Sequence, residues 1–156
     1  MVKKLQEETK RVESLASLEE DVYLNILRAA ELLSWRVVET LKQVDLTPTQ
    51  YNVLRILRGA GRAGASCSEI SERMVTKDSD ITRLLDRLET RKLISRERET
   101  KDRRRITARI TTDGLRLLSD LDKPVRQCHC QQLSHLGEKQ LASLNKLLET
   151  VRKALG

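Results

Sequence analysis

The hydrophobic pattern of this chain changes its period twice, and that change limits the possible folds more than any other feature. From Leu18 to Leu41 apolar residues recur at steps of three and four, which predicts one long amphipathic helix ending near Asp45. Over residues 93–98 and 105–110 the period falls to two, which predicts two short strands joined by a charged tip. Beyond them the helical period returns. The pattern predicts a mainly α fold with a small β-hairpin.

The segment after the long helix carries a strong helix-start signal. Thr47 is typical of an N-cap, Pro48 follows at the first helical position, and Gln50 stands three residues after the cap. This helix is predicted to stop at Gly59. Residues 59–64 match the G-x-G-x-x-G spacing of dinucleotide-binding loops, but such loops follow a strand, and the residues before Gly59 have helical spacing. We therefore expect a helix end and a tight turn, without a nucleotide cofactor.

Two more helices are predicted before the hairpin, one from Ser68 to about Met74 and one from near Asp78 to about Arg91. The second helix has one apolar side and one polar side, and the polar side bears Ser79, Asp80, Thr82, Arg83, Asp86 and Arg87. Helix, short break, helix and hairpin is the order of a winged helix-turn-helix, whose second helix enters the major groove of DNA. An ordinary surface helix has the same pattern, so the prediction depends on the neighbouring charge.

Positive charge is concentrated beside that second helix. The net charge at pH 7 is +7, and residues 91–105 hold eight basic and three acidic residues, which is +5 of it. A basic β-loop beside a recognition helix can reach the adjacent minor groove, which attracts arginine. Aromatic residues are only 2% of the chain, which argues against modules that stack bases on aromatic platforms. Duplex DNA is therefore the expected partner.

The cysteines and histidines suggest a metal or redox site at first sight. Cys128 and Cys130 flank His129, but residues i and i+2 of a helix point roughly 200° apart, so the two thiols are poorly placed to share one ion or a disulfide. We expect Cys128 to be a buried structural thiol. An intersubunit disulfide, a sensing thiol and a metal site stay open as alternatives, with Cys67 as a further redox candidate. No metal, no cofactor and no catalytic residues are predicted.

The 156 residues fit one domain, with a polar N-terminal arm at residues 1–17. No apolar run approaches the ~18 residues that span a bilayer, and the N-terminus lacks the apolar segment of a signal peptide. We therefore expect a cytoplasmic protein without a membrane partner. The last helix, predicted from about Leu136, has an a/d seam for packing on another helix, formed by Leu141, Leu144, Leu148, Val151 and Leu155.

Three motifs in one register resemble those of the MarR family of winged helix-turn-helix transcriptional regulators. Residues 46–57 resemble the family's LTxxQxxxLxxL signature, and residues 81–89 resemble its recognition helix. Residues 102–104 and 110–114 resemble the DxR wing signature and the LTxxG motif that follows it. The similarity covers about residues 18–155 in the right order and spacing.

The resemblance implies a single MarR-type domain over residues 18–156. Its DNA-binding lobe would span about 47–112, and its dimerisation helices about 18–44 and 113–155. The protein would be a homodimer that regulates transcription, as a repressor, from a pseudo-palindromic operator. The recognition-helix residues implied are Ser79, Asp80, Thr82, Arg83 and Arg87.

In the wing the resemblance implies that Asp102 braces the loop, Arg104 enters the minor groove at its tip, and Arg103 contacts the DNA backbone, with Arg105 beside them. Lys92 departs from the family pattern, because a glycine usually follows the recognition helix; a lysine in a left-handed conformation there costs free energy. Ile70 and Ser71 replace the usual Leu-Ala, which is a mild change.

Family members often bind small aromatic or phenolic effectors between the dimerisation region and the DNA-binding lobe. Tyr23 and Trp35 could line such a pocket, although a lone tryptophan is more often part of a core or an interface. Two alternative functions stay open. One is a winged helix that docks proteins or binds DNA without sequence specificity. The other is a regulator that senses redox state through Cys67, Cys128 or Cys130.

Overall fold

The structure is a computed structural model that describes residues 17–76, 80–98 and 106–156. The chain divides into two compact units, residues 1–36 and residues 37–156, and the boundary lies inside the first helix, α1 (Leu18–Lys42). The Ser17 hydroxyl accepts a hydrogen bond from the Glu20 amide at 3.3 Å, and acidic residues fill the first turn, where the helix dipole favours them. The predicted start at Leu18 is confirmed, while the rest of the predicted arm lies outside the described residues.

The C-terminal end of α1 belongs to the second unit and stops before the predicted Asp45. The Leu46 amide turns back to donate to the Leu41 carbonyl at 3.2 Å, and Asp45 takes the left-handed conformation with φ 54°. Aspartate tolerates this conformation better than most residues, so the helix can close with a tight turn. The elements that follow are α2 (Pro48–Ala60), β1 (Ala65–Ser66), α3 (Cys67–Arg73), α4 (Ile81–Thr90), β2 (Ile94–Arg98), β3 (Ile106–Ile110), α5 (Thr112–Leu133) and α6 (Glu138–Leu155).

The predicted cap of α2 is confirmed atom by atom. Thr47 Oγ1 accepts from the Gln50 amide at 3.1 Å, and Gln50 Oε1 accepts from the Thr47 amide at 3.0 Å. These two bonds satisfy amides that a helix start otherwise leaves unpaired. The helix runs one residue past the predicted end, and a single 3₁₀ turn follows at Gly61–Ala63.

The glycine-rich segment serves the fold, as predicted. Gly64 has φ 70°, and a Cβ atom there would lie 2.5 Å from the Ala108 carbonyl oxygen. Only glycine permits this close approach, because any side chain would collide with the neighbouring strand. The sequence of residues 59–66 predicts a loop throughout, and this prediction is wrong at its end, because Ala65 and Ser66 form β1, which pairs antiparallel with β3. A two-residue strand is too short to leave a periodic signal.

Over the residues that the structure describes, the sheet therefore has three strands, in the order β1, β3, β2. The predicted hairpin is confirmed, with Ile94 opposite Ile110 and Arg98 opposite Ile106. The core of the second unit lies between this sheet and the helices, and its fully buried side chains include Leu54, Leu57, Ile70, Leu85, Leu88 and Leu118. Both α3 and α4 pack their apolar faces on this core, which fixes the helix-turn-helix against α2.

The C-terminal helices differ in burial. α5 begins at the Thr111 cap and continues through Pro124. α6 starts at Glu138 rather than at the predicted Leu136, because Gly137 occupies the N-cap position. α6, which the structure describes in full, buries none of its residues in this chain. An amphipathic helix of 18 residues that packs so little of its apolar face has that face available for another surface.

Candidate nucleic-acid interface

α4 separates apolar and polar residues cleanly between two faces. Leu84, Leu85 and Leu88 are buried in the core, as predicted. The opposite face is exposed and carries Thr82, Arg83, Asp86, Arg87 and Thr90. An exposed helix face with two arginines and short polar side chains has the chemistry needed to contact base edges and phosphates.

The N-terminus of α4 is capped by one of the predicted DNA contacts. The Asp80 carboxylate accepts a hydrogen bond from the Arg83 amide at 3.0 Å. Asp80 thus stabilises the end of the helix, and a contact with DNA stays a prediction. Ser79, the neighbouring predicted contact, lies outside the described residues.

The turn between α3 and α4 is tied to α2. Asn52 Oδ1 accepts from the Val75 amide at 2.9 Å, so a side chain of α2 holds the first residues after α3. Nothing in the periodicity points to Asn52, because it lies among the apolar residues of α2 and its partner is 23 residues away. The bond connects the segment that follows α3 to α2.

The C-terminus of α4 is anchored by Arg91. Its guanidinium donates to the backbone carbonyls of Val44, at 2.9 Å, and of Asp45. These are the carbonyls of the left-handed turn after α1, and Arg91 satisfies them in place of water. Lys92 follows with φ 59°, which confirms the left-handed conformation considered for this position.

Arg96 of β2 joins the strand to the middle of α4. Its guanidinium donates to Glu89 Oε2 and to Asp86 Oδ1, while its backbone amide donates to Glu89 Oε1. The hydrogen bonds to Glu89, and then those to Asp86, raise the pKa of the Arg96 guanidinium above its ordinary value. The sequence places Arg96 within the basic run and Asp86 on the polar face of α4, and it does not predict the contact between them.

A cavity of about 510 Å³ lies along one flank of α4. Arg83, Arg87 and Arg91 line it at successive turns, because residues four apart share a helix face. Thr47 and Gln50 contribute to its other wall. Two of the predicted DNA contacts, Arg83 and Arg87, therefore also line a concave surface, on which three arginines lie beside the carboxylates of Asp45 and Asp86.

The wing is described along its two strands but not at its tip. Arg109 of β3 donates to the Glu97 carboxylate of β2 and to the Arg62 carbonyl, both at 2.9 Å, which ties the hairpin to the turn after α2. The predicted wing contacts Asp102, Arg103, Arg104 and Arg105 lie outside the described residues. Their roles stay predictions.

An ion pair links the DNA-binding elements to α5. Arg58 of α2 donates two hydrogen bonds to Asp122, at 2.8 and 2.9 Å. The bond from Arg58 lowers the pKa of the Asp122 carboxyl, and the charges of Arg58, Arg126 and Arg55 act in the same direction. Two parallel bonds between planar groups fix orientation as well as distance.

The remaining candidates are scattered. Tyr23 and Trp35 are 59% and 64% exposed. Neither is among the residues that line the cavity beside α4. Cys67 and Cys128 are half-buried, Cys130 is exposed, and all three thiols are free. Full burial of Cys128 was predicted and is wrong for this chain alone; its sulfur accepts a bond from Gln132 at 3.3 Å.

Within 17–76, 80–98 and 106–156, histidine, cysteine and carboxylate side chains form no cluster of three or more that could hold a metal ion. In the same part of the chain, each helix is too short or too polar to cross a membrane.

Known proteins resemble this chain in sequence and in fold. A sequence model described as the MarR family matches residues 46–106. The transcriptional repressor MdtR of Bacillus subtilis is 31% identical over 130 residues, which is 83% of either chain. A MarR transcription factor from Planctomyces limnophilus has a crystal structure with 38% identity and a TM-score of 0.67, covering 90% of this chain and 99% of that one.

A third likeness concerns the fold alone. Bordetella bronchiseptica BpsR, whose DNA binding is regulated by 6-hydroxynicotinic acid, has 22% identity and a TM-score of 0.76, covering 85% of this chain and 99% of that one. Sequence identity above 30% over most of both chains, together with the winged helix-turn-helix described above, is sufficient to assign the family. The chain belongs to the MarR family of DNA-binding transcriptional regulators.

Proposed function

We propose that this regulator binds duplex DNA as a homodimer, with α4 in the major groove and the wing in the minor groove, and that it acts as a repressor. The observation that carries the proposal is the exposed face of α4. It presents Thr82, Arg83 and Arg87 to solvent, while Arg91 holds the end of the helix and Arg96 holds its middle. A preorganised helix loses little entropy on binding, so more of the contact energy contributes to affinity.

The wing supplies the second part of the proposed interface. Arg104 enters the minor groove, Asp102 braces the loop, and Arg103 contacts the DNA backbone, with Arg105 beside them in the wing. Residues 91–105 carry a charge of +5, and phosphate neutralisation with release of counterions contributes much of the affinity. Ser79 and Asp80 complete the recognition set at the start of α4. The proposed regulator acts in the cytoplasm. It acts by binding DNA and does not catalyse a reaction.

A second copy of the chain is the proposed partner of the exposed apolar residues. Leu144, Leu147, Leu148 and Val151 of α6 are exposed by 37–62%. Burying apolar area stabilises an interface by about 25 cal/mol per Å². The DNA-binding lobe spans about 47–112, and the dimerisation helices span about 18–44 and 113–155.

The proposed effector is a small aromatic or phenolic anion. BpsR responds to 6-hydroxynicotinic acid, which has an aromatic ring, a hydroxyl group and a carboxylate. In this chain the cavity lined by Arg83 and Arg87 offers cationic partners for such a carboxylate, and its occupancy would compete with DNA for the same arginines. The alternative is a different effector pocket, lined by Tyr23 and Trp35.

Selection of bound duplexes from a random pool tests the proposal. A specific regulator enriches a two-fold-related sequence whose half-sites lie about one helical turn, roughly 34 Å, apart. Excess random DNA at moderate salt should not remove the protein from the enriched duplex. A winged helix that binds without specificity, or that docks proteins instead, would enrich no sequence, and the proposal would then be wrong.

A further inference from the structure

Arg96 lies on the hairpin and donates four hydrogen bonds to carboxylates of α4. Nε donates to Glu89 Oε2 at 2.9 Å, and Nη2 donates to the same oxygen at 2.6 Å and to Asp86 Oδ1 at 2.5 Å. The backbone amide of the same residue donates to Glu89 Oε1 at 3.1 Å. The Arg96 side chain is 21% exposed. One strand residue therefore holds two carboxylates of α4, one turn apart.

These contacts add a polar attachment between α4 and the wing to two that already exist, the short turn at residues 91–93 and the packing of Leu84, Leu85 and Leu88 in the core that also holds Ile94. Apolar packing is non-directional, so it defines the angle between a helix and a strand less closely than hydrogen bonds of fixed geometry do. The bonds from Arg96 reach back along α4 to Asp86, between Arg83 and Arg87, and so fix that angle in the middle of the exposed face.

The contact is better suited to orientation than to stability. The Asp86 and Glu89 side chains are 54% and 38% exposed, and ion pairs this close to solvent contribute little to folding. Lysine could supply the same charge, but only the planar guanidinium can hold two carboxylates with fixed geometry. The contact also neutralises an acidic side chain that otherwise stands among groups facing DNA phosphates.

We propose that Arg96 is a positioning residue of DNA recognition: by holding Glu89 and Asp86 it sets the angle between α4 and the wing, so that both fit adjacent grooves of one duplex. The inference rests on the proposed DNA-binding function. Specific binding needs both elements in register, whereas non-specific binding needs only positive charge near phosphates. Loss of the contact should therefore affect specific binding more than non-specific binding.

The test compares Arg96→Lys with Arg109→Lys in the full-length protein. Both changes keep the charge, and both replace an arginine of the sheet that joins two elements, but only Arg96 contacts α4. The probes are a duplex enriched by the wild-type protein and a random duplex of equal length, titrated by fluorescence anisotropy at one salt concentration. For Arg96→Lys we expect about a tenfold weaker Kd on the enriched duplex, roughly 1.4 kcal/mol, and less than a twofold change on the random one. Arg109→Lys should keep both values.

Glu89→Gln provides a second variant and closes a double-mutant cycle. It should weaken binding to the enriched duplex in the same way, and the double variant should be no weaker than Arg96→Lys alone, because both remove one contact. Additive effects, or equal loss on both duplexes, would overturn the positioning role. Failure of the wild-type protein to enrich any duplex would instead reject the proposed function. Circular dichroism and thermal melting confirm that each variant compared is folded.

Discussion

Lys92 stands at a backbone angle that favours glycine. Its φ is 59°, and the turn is held by main-chain bonds that any residue can make: the Lys92 amide donates to Glu89 O at 2.8 Å and the Leu93 amide to Leu88 O at 3.0 Å. A residue with a Cβ atom is strained in this conformation by about 1–2 kcal/mol. The strain lies at the junction between α4 and the wing.

We therefore expect Lys92→Gly to stabilise the fold by about 0.5–1 kcal/mol, less than the full strain because glycine also gains freedom in the unfolded chain. Urea denaturation should show a higher midpoint with an unchanged slope. Lys92→Ala removes the same side chain but keeps the Cβ atom, so it should give no such gain. Equal stabilisation by alanine would mean that the lysine side chain, rather than the backbone angle, is the cause.

The role of a single residue was predictable from the sequence where that role depends on residues adjacent in the chain. The cap at Thr47 was predictable because it follows from a few adjacent residues, and the left-handed position at Lys92 was predictable only from the resemblance to a family that usually has glycine there. Asn52 and Arg96 were not, since their partners are fixed by folding: Val75 is 23 residues from Asn52. An arginine in a basic run gives no sign of whether it faces solvent, DNA or a carboxylate.

At the scale of elements, the helices and the hairpin were predictable from periodicity, while β1 was not. Its two residues pair with β3 only because Gly64 lets the backbone approach Ala108. The attachment of α2 to α5 was likewise hidden. Arg58 and Asp122 are 64 residues apart, and each alone reads as an ordinary surface charge.

The Arg58–Asp122 pair predicts a specific acid sensitivity. Arg58 lowers the pKa of Asp122 from its ordinary value of 3.8, so the folded state binds a proton less readily than the unfolded state. The pair therefore contributes stability above pH 3.8, and that contribution is lost as the pH falls below this value towards the lowered pKa of the folded state.

We expect Asp122→Asn to lower the free energy of unfolding at pH 7 and to flatten its dependence on pH below about 4. Denaturation by urea at a series of pH values measures both effects. Asp120→Asn removes an exposed carboxylate from the same helix and should leave the acid limb of the curve in place. If Asp122→Asn and wild type lose stability in parallel down to pH 2, the ion pair does not act as described.

At the scale of the whole molecule, the exposed seam of α6 predicts a dimer of two 17.9 kDa chains. Leu148→Glu places a charge among Leu144 and Val151, where a second copy would have to bury it, and desolvating an unpaired carboxylate is costly. Light scattering coupled to size exclusion should show a monomer. Ala142→Glu adds the same charge on the opposite face of the helix, so this variant should remain dimeric. A dimeric Leu148→Glu protein would exclude this seam as the interface.

The uneven distribution of charge predicts that affinity for DNA can be lowered without loss of the dimer. Arg104 lies within the basic run of residues 91–105, far in sequence from the seam of α6, so Arg104→Ala should weaken DNA binding and leave the dimer intact. Losing one phosphate-proximal charge should also reduce the slope of log K against log salt by ~1, whereas an effect on folding would not change that slope in this way.

Lys139→Ala on α6 removes the same charge from the dimerisation region and is the matched control. It should keep both the affinity for the enriched duplex and the salt slope of the wild type. If the two variants weaken binding equally, net charge alone determines affinity and the wing has no special place in the interface. If Arg104→Ala alone loses affinity and slope while light scattering still shows a dimer, the minor-groove contact is located at the wing.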